Sequence, residues 1–221
     1  MNTKSSSNEA FLLVLLLLPF VYLGLIWTQL PATIPGHYGP NGKPDRYDSK
    51  EQLALAMGAL TVFLYVVFRF VPRLDPRKNL NSALYQKIRW VILVFWAAFL
   101  AWFWTISWKG IEPETLGVST LVGVGLLIAC LGNLMHSVKP NYFVGIRTPW
   151  TLESETVWRK THHLGSRVMV AGGVLSAAAA LFIPMPYTIA VVMGLFVVAI
   201  LVPVVYSYIY YRQEKTRQSI S

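Results

Sequence analysis

Two adjacent histidines, His162 and His163, lie seven residues after Glu155 and are the strongest candidates for a metal or acid–base site. A helical zinc site needs two histidines four residues apart, so that both imidazole rings lie on one face of the helix. Adjacent residues point to different faces, and neither histidine has a histidine four residues away. The pair therefore does not predict a zinc site.

A second polar cluster, His37 with Asp45 and Asp48, offers nitrogen and oxygen atoms of the kind that bind metals. One histidine without a fixed spacing to the carboxylates favours a hydrogen-bonded structural histidine instead. No ionisable side chain occurs in the middle of an apolar run, which removes the usual groups for an intramembrane hydrolase or a proton relay. We therefore predict no catalytic residue, no metal, no cofactor and no enzymatic activity.

The elements that must position these side chains are membrane-spanning helices. Hydrophobic residues make up 55% of the 221 residues and charged residues only 13%, and the mean hydropathy is +0.50. A bilayer core requires about 20 apolar residues of helix. Six stretches meet this requirement, at about 10–28, 53–71, 89–108, 116–135, 167–183 and 187–210. The sequence predicts an all-α polytopic membrane protein with six transmembrane helices.

The distribution of Lys and Arg predicts the orientation of these helices. With the N-terminus inside, 15 of the 19 cations lie on the inner side, including Lys4, Arg77 and Lys78, and 4 lie on the outer side. The ten carboxylates divide five and five. This is the positive-inside pattern, so both termini are expected in the cytoplasm. The net charge of +9 thus reflects topology and does not predict direct nucleic-acid binding.

The predicted outer loop, 28–52, is rich in proline and glycine. Four Pro and three Gly within residues 30–47 preset turns and exclude a regular helix, and Asn41-Gly42 suits a tight turn. We expect a compact cap over the outer ends of the helices, with the rings of Tyr38 and Tyr47 near the headgroup surface.

The predicted cytoplasmic loop, 136–166, is the longest inner connection, and its aromatic content argues against disorder. We expect a short interfacial helix from Thr151 onward, capped by Thr151, with Glu153 and Glu155 in its first turns. Arg147 with the two glutamates is interpreted as a structural ion pair or a partner contact.

Two spans carry further patterns. Phe95, Phe99 and Trp102 share one face of the third span, which suits packing against lipid or another helix, or docking of an apolar peptide. In the fifth span small residues recur at every fourth position from Gly172 to Ala180, which predicts a close helix–helix seam. The sequence leaves open whether that seam lies within one chain or between two copies.

Two stretches resemble known families. The outer loop, LPATIPGHYGPNGKPDRY from Leu30 to Tyr47, resembles a domain of unknown function of the DUF1648 type, which commonly precedes SdpI-like regions. The stretch GIRTPWTL at 145–152, followed by ETVWR at 155–159, is similar to the cytoplasmic-loop motif of the SdpI immunity-protein family. Together these matches frame the chain from about 28 to 210.

The resemblance implies a membrane protein of the bacterial cell (inner) membrane with immunity and signal-transduction roles. Members of that kind protect a toxin-producing cell from its own membrane-active peptide and hold a small transcriptional repressor at the membrane. It implies a toxin peptide at the outer face or the third helix and a repressor partner at the cytoplasmic loop, besides the lipid bilayer. A general cell-envelope stress protein, a small peptide exporter and a membrane enzyme using the His162/Glu155 region stay as alternatives, and the oligomeric state is not predicted.

Two groups of residues are the predicted binding sites. In the cytoplasmic motif they are Asn141, Gly145, Arg147, Thr148, Pro149, Trp150, Thr151, Glu155, Trp158 and Arg159. In the extracellular loop they are Pro35, His37, Gly42, Pro44, Asp45 and Tyr47. The chain is expected to divide into an N-terminal two-helix unit, 1–86, and an SdpI-like four-helix unit, 87–221.

Overall fold

The computed structural model describes residues 3–39, 41–76, 83–185 and 187–219. In these ranges the helices are α1 (Thr3–Ile26), α2 (Lys50–Leu74), α3 (Ala83–Lys109), α4 (Pro113–Met135), α5 (Pro149–Glu153), α6 (Glu155–Phe182) and α7 (Tyr187–Gln218), with strands β1 (Thr33–Tyr38) and β2 (Pro44–Ser49). All helices except α5 are long and apolar enough to cross a membrane, which confirms the six predicted spans. Of the cations counted above, Arg77, Lys78 and the side chain of Lys4 lie outside the described part.

The loop between α1 and α2, predicted as a compact cap, is a two-stranded antiparallel hairpin. Thr33 pairs with Ser49 and Tyr38 with Pro44, and the turn places Gly42 at φ 75°, a conformation that glycine adopts without strain. Ser49 then starts α2, because its hydroxyl accepts from the backbone N–H of Gln52 at 3.2 Å. The loop is compact, as predicted. The two strands were not predicted, because the prolines argued against regular secondary structure. Proline is tolerated in such edge strands.

The spanning helices alternate in direction, so their connections gather at two ends of the molecule. We call the end that holds the hairpin, residues 27–49, and the turn at 110–112 the hairpin end. The opposite end, which we call the α5 end, holds residues 136–154, the start of α6 and the last turns of α7. The described start of α1 also lies at the α5 end, because an even number of spans returns the chain to the same side.

The small residues of the fifth span form a seam inside the chain. A Cβ placed on Gly125 of α4 would lie 2.7 Å from the carbonyl oxygen of Gly173 and 2.8 Å from the nitrogen of Ala177, both in α6. On the adjoining face, Gly172 approaches Ala199 of α7. The predicted helix–helix seam is thus confirmed as an intramolecular one, in which α6 packs between α4 and α7.

The aromatic face of the third span packs mainly against α4. Trp102 donates its ring N–H to the hydroxyl of Ser119 at 2.7 Å, and the ring of Phe95 lies against Gly123. Phe99 packs against the buried core at the hairpin end. Of the two interpretations that the sequence left open for this face, the contacts favour helix packing.

The connection between α4 and α6 contains a short helix, but it begins earlier than expected and Thr151 does not cap it. Thr148 is the cap: its hydroxyl accepts from the N–H of Thr151 at 3.3 Å, and the side chain of Thr151 accepts in return from the N–H of Thr148 at 2.9 Å. After the extended Ser154, residues 155–166 are the first turns of α6, not a helix on the membrane surface. They join the spanning helix because their apolar face, including Val157 and Trp158, is buried against protein instead of lipid.

The division of the chain at 86/87 stays a prediction. The helices α1 and α3, which fall in different predicted units, pack against each other.

Candidate functional site

The α5 end is held together by buried polar side chains, of which Asn141 is the first. Its amide oxygen accepts from the N–H groups of Phe143 at 2.8 Å and Val144 at 2.7 Å, and its amide nitrogen donates to the carbonyls of Lys139 and Val144. The side chain is 1% exposed. Asn141 therefore folds the 139–144 turn and offers nothing to a partner.

His162 connects this turn region to α6. Its Nε2 accepts from the N–H of Ile146 at 3.0 Å, and its Nδ1 lies 2.8 Å from the carbonyl oxygen of Trp158. Because a carbonyl can only accept, one neutral tautomer, with the proton on Nδ1, satisfies both contacts. The ring is fully buried and stacks on Trp158 with centroids 4.0 Å apart. The histidine that could have been a metal ligand is a structural one.

Gly145 lets the loop backbone pass close to the imidazole ring of His162. Its φ is 110°, and a Cβ at this position would collide with Nε2 of His162. The glycine of the GIRTPW motif is therefore required both by its backbone conformation and by the close approach of the imidazole.

Trp158 and Thr151 complete the internal network. The indole N–H of Trp158 donates to the carbonyl of Val138 at 2.7 Å. The hydroxyl of Thr151, which is fully buried, lies 2.9 Å from the carbonyl of Ile146. Five of the ten predicted binding residues, namely Asn141, Gly145, Thr148, Thr151 and Trp158, thus position the loop, and their part in binding stays a prediction.

The other predicted residues lie at the surface. Arg147, Pro149, Glu155 and Arg159 are exposed, whereas Trp150 is half-buried. The indole N–H of Trp150 donates to the hydroxyl of Ser207 at 2.6 Å, which fixes α5 to α7.

A cavity of about 320 Å³ opens beside this surface. Its lining combines cations and a carboxylate with the edge of an indole: His136, Ser137, Val138, Lys139, Pro140, Glu155, Thr156, Trp158 and Arg159. The α5 end therefore offers charged and aromatic groups on a rigid base.

The expected pairing of Arg147 with Glu153 or Glu155 is wrong. Arg147 donates to the carbonyl of Tyr142 at 2.6 Å, and within the described ranges it forms no ion pair with either glutamate. Glu153 instead pairs with Lys215 of α7 at 2.8 Å. The carboxylate of Glu153 is therefore engaged by α7.

Two residues near the end of α7, Tyr211 and Lys215, thus complete the site, although no sequence pattern predicted them. The carboxylate of Glu153 accepts from Lys215 and from the hydroxyl of Tyr211 at 2.6 Å. These hydrogen bonds lower the pKa of Glu153 below its ordinary value. The C-terminal turns of α7 therefore clamp the end of α5.

The hairpin end holds an apolar cavity of about 210 Å³. Two predicted residues, Pro35 and Tyr47, line it, together with Pro31, Ile34, Tyr38, Ile106, Ser107, Gly110, Ile111, Pro113 and Leu116. Burial raises the pKa of the Tyr38 hydroxyl. The cavity lies between the hairpin and the α3–α4 turn and could receive an apolar side chain.

The remaining predicted residues of the hairpin serve its own geometry. His37 and Asp45 are hydrogen-bonded across 2.6 Å at the surface, Gly42 forms the turn and Pro44 pairs in the ladder. Across the described ranges, no three His, Cys, Asp or Glu side chains are grouped as metal ligands. His37 has the structural hydrogen bond that the sequence favoured.

An ionic cluster near the α5 end was missed altogether. Glu9 of α1 binds Arg89 of α3 through two hydrogen bonds, one of them at 2.8 Å, and accepts from the hydroxyl of Tyr65 of α2 at 2.7 Å. The Arg89 side chain is 4% exposed. Glu9 and Arg89 each lie at the edge of a predicted span. The sequence therefore did not show that α1, α2 and α3 bring their side chains together with Tyr65.

Comparison with known proteins connects both ends of the molecule to families. Residues 137–207 match the SdpI/YfhL protein family, and residues 14–62 match the domain of unknown function DUF1648. Immunity protein SdpI of Bacillus subtilis is 25% identical over 201 residues, covering 91% of this chain and 94% of that protein. An uncharacterized protein of Archaeoglobus fulgidus is 36% identical over 50 residues, which cover 23% of this chain and 27% of that protein.

No solved structure matches this chain. The DUF1648 match contains the hairpin, and the SdpI/YfhL match contains α5, all of α6 and part of α7. The resemblance predicted from the two loop motifs is therefore confirmed: the DUF1648 model matches the N-terminal part of the chain, and the SdpI/YfhL model matches the C-terminal part.

Proposed function

We propose that this chain is a membrane immunity and signal-transduction protein that protects a bacterial cell against a membrane-active toxin peptide. The observation that carries the proposal is the 91% coverage of the chain in its similarity to a protein named as an immunity protein. A match of that extent includes both the hairpin end and the α5 end, so the similarity is not limited to one loop motif.

The orientation that we propose follows from the charges. The α5 end carries most of the Lys and Arg residues, and the positive-inside pattern assigns such an end to the cytoplasm. The hairpin would then face the outside of the cell membrane, and both termini would lie in the cytoplasm. This arrangement exposes the hairpin to a toxin and the α5 end to a cytoplasmic partner.

The apolar cavity at the hairpin end is the site that we propose for the toxin peptide. Its wall of Ile34, Ile111 and Leu116 suits one apolar side chain of an amphipathic peptide, and Tyr47 at the rim is 58% exposed. The aromatic face of α3 is less suitable, because Phe95 and Trp102 already contact α4 and Phe99 packs against the core at the hairpin end. Trp102 keeps 40% of its surface exposed.

The α5 end is the site that we propose for a cytoplasmic repressor. The buried network of Asn141 and His162 holds the loop in one conformation, so a partner would meet Arg147, Glu155 and Arg159 in fixed positions. Preorganisation of this kind lowers the entropy cost of association. We propose binding, and not catalysis, as the basis of the activity.

The test is protection of a toxin-sensitive bacterium that expresses the full chain. We expect cells challenged with purified killing peptide to survive and to keep their membrane potential, while cells with an empty vector lose both. Inserted protein that gives no protection would contradict the proposal and favour a general cell-envelope stress protein.

A second measurement separates immunity by binding from export. Labelled killing peptide is supplied to right-side-out membrane vesicles, in which the hairpin end faces the medium, and to inverted vesicles, in which an exporter would move the peptide into the lumen. Saturable binding to the right-side-out vesicles without accumulation inside the inverted vesicles is expected, whereas accumulation would indicate a small peptide exporter.

A further inference from the structure

The exposed face of α6 carries a ladder of basic side chains, among them the cations Arg159, Lys160 and Arg167. Arg159, His163 and Arg167 follow one another at intervals of four residues, and Lys160 lies beside the first of them. Residues at this spacing share one face of a helix. At a rise of about 1.5 Å per residue the ladder extends for about 12 Å, which is comparable to the depth of a lipid headgroup region.

These cations line a groove between α6 and α7. The groove has a volume of about 470 Å³, and its walls are Arg159, Lys160, His163, Leu164 and Arg167 of α6 with Tyr206 of α7. The ammonium of Lys160 also lies 6.0 Å from the ring centroid of Tyr210. We call this site the α6–α7 groove.

The cations of the groove are not neutralised within the chain. In the described ranges, the ion pairs at the α5 end use Arg69, Arg89 and Lys215. No ion pair there uses Arg159, Lys160 or Arg167. Glu155, one turn before Arg159, lines the separate cavity beside the 136–140 segment. The groove therefore keeps a net positive charge that an anion would balance.

The groove opens onto apolar helix surface on its membrane side. Beyond Arg167 the same helix exposes Val174 and Leu175, which are 51% and 54% exposed. On the other wall, Val202 lies one turn before Tyr206 and is 41% exposed. A ligand that filled the site would need an anionic end and long apolar chains beyond it.

We propose that the α6–α7 groove binds an anionic phospholipid, with its headgroup phosphate held by Arg159, Lys160 and Arg167. Its acyl chains would follow the exposed surface at Val174 and Val202. The guanidinium group suits this role because it binds phosphate oxygens in a fixed bidentate geometry. The continuous apolar surface distinguishes the lipid from a free phosphate, which would use only the cationic part. This site shares Arg159 with the surface that we propose for the repressor, and it is separate from the surface that we propose for the toxin.

The experiment measures lipid binding to the purified full chain in detergent by native mass spectrometry. Phosphatidylglycerol is titrated against phosphatidylcholine of the same chain length, for the parent protein and for the double variant K160Q/R167Q. Each cation near an anionic lipid surface strengthens binding about fivefold, so the double variant should lose about 25-fold in its preference for phosphatidylglycerol.

Two controls define the cause of that loss. R212Q removes an exposed cation of the same end, outside the groove lining, and should change the preference less than twofold. R167K keeps the charge but not the bidentate geometry, so it should lose less of the preference than R167Q. An undiminished preference in K160Q/R167Q, or an equal loss in R212Q, would overturn the proposal. If the double variant does not fold, the pair R167Q and R167K decides in the same way.

A competition arm separates lipid from free phosphate. Glycerol phosphate, which has the headgroup anion without acyl chains, should not displace phosphatidylglycerol at equal concentration. Displacement by glycerol phosphate to the same extent as by a second lipid would overturn the assignment to a phospholipid.

Discussion

The backbone N–H of Ile146 donates to Nε2 of His162 across 3.0 Å and thereby ties the loop before α5 to the first turns of α6. The two residues are 16 positions apart in sequence. This bond turns a polar loop at the end of six spanning helices into a fixed structure. It also explains why a histidine is found in a fully buried position without a metal-binding cluster around it in the described ranges.

The close approach of Gly145 to His162 gives the first prediction. Gly145→Ala places a Cβ against the imidazole and forces a side chain onto a φ of 110°, which costs about 1–3 kcal/mol for a strained residue. We expect the free energy of unfolding in detergent to fall by that amount. Gly194→Ala is the matched control, because an added Cβ there meets nothing within 4 Å. An equal effect of both substitutions would argue against the contact with His162.

The buried pair of Glu9 and Arg89 gives the second prediction. Glu9→Gln removes the charge partner of a guanidinium that is 4% exposed, and loss of one member of such a pair costs about 3–5 kcal/mol. We expect a lower midpoint of thermal unfolding in detergent. Arg46→Gln breaks the exposed pair with Asp48 and should cost less than about 1 kcal/mol. Similar midpoints for the two variants would contradict the buried role of the first pair.

The clamp between Glu153 and Lys215 should depend on pH. Because hydrogen bonds lower the pKa of Glu153 in the folded chain, the clamp is complete above the ordinary carboxyl value of 4.5. It is lost as the pH falls through the lowered value. Hydrogen exchange of the α5 amides, corrected for intrinsic rates, should therefore accelerate below that point. In Glu153→Gln the corrected exchange rate of the α5 amides should be fast at neutral pH and should not change with pH. If that variant still showed a pH-dependent change in rate, the assignment of the effect to Glu153 would be contradicted.

Filling the apolar cavity tests the proposed toxin site. Ile111→Trp introduces a larger side chain into the cavity of about 210 Å³ and should exclude the side chain of a bound peptide. We expect about tenfold weaker binding of the killing peptide, the effect of losing about 1.4 kcal/mol of contact. Ile209→Trp adds the same bulk to an exposed position near the α5 end and serves as the control. Unchanged protection and binding in Ile111→Trp would remove this cavity from the proposal.

Charge reversal at the α5 end tests the proposed partner surface. Arg147→Glu replaces an exposed cation whose only described contact is a loop carbonyl, so the fold should tolerate it. Recruitment of a fluorescently labelled repressor to the membrane should be abolished while protection against the peptide remains. Lys109→Glu makes the same reversal at the hairpin end and should leave recruitment unchanged. Normal recruitment by Arg147→Glu would exclude this surface.

The sequence predicted the spanning helices well because the bilayer imposes one strong requirement, about 20 apolar residues for each helix. It predicted the helix seam at Gly172–Ala180 for a similar reason, since close approach in lipid needs small residues at regular spacing. The hairpin was harder, because its six-residue strands contain prolines and lack a clear alternation of apolar and polar residues.

The individual roles of the motif residues could not be predicted. Asn141, Gly145 and Arg147 all belong to one polar stretch, yet the first two hold the loop and the third faces outward. Residues that hold the loop differ from residues that face outward in how deeply their side chains are buried. That burial depends on the packing of α6 against the loop.

The sequence by itself determined the number of spanning helices, their alternating direction and the two polar loops at opposite ends, because hydrophobic length is a local property. Only the tertiary structure decided which side chains meet. It joined Glu9 to Arg89, Ile146 to His162 and Glu153 to Lys215. These pairs are separated by 16 to 80 residues, and their contacts exist only because packed helices bring distant positions to the same depth.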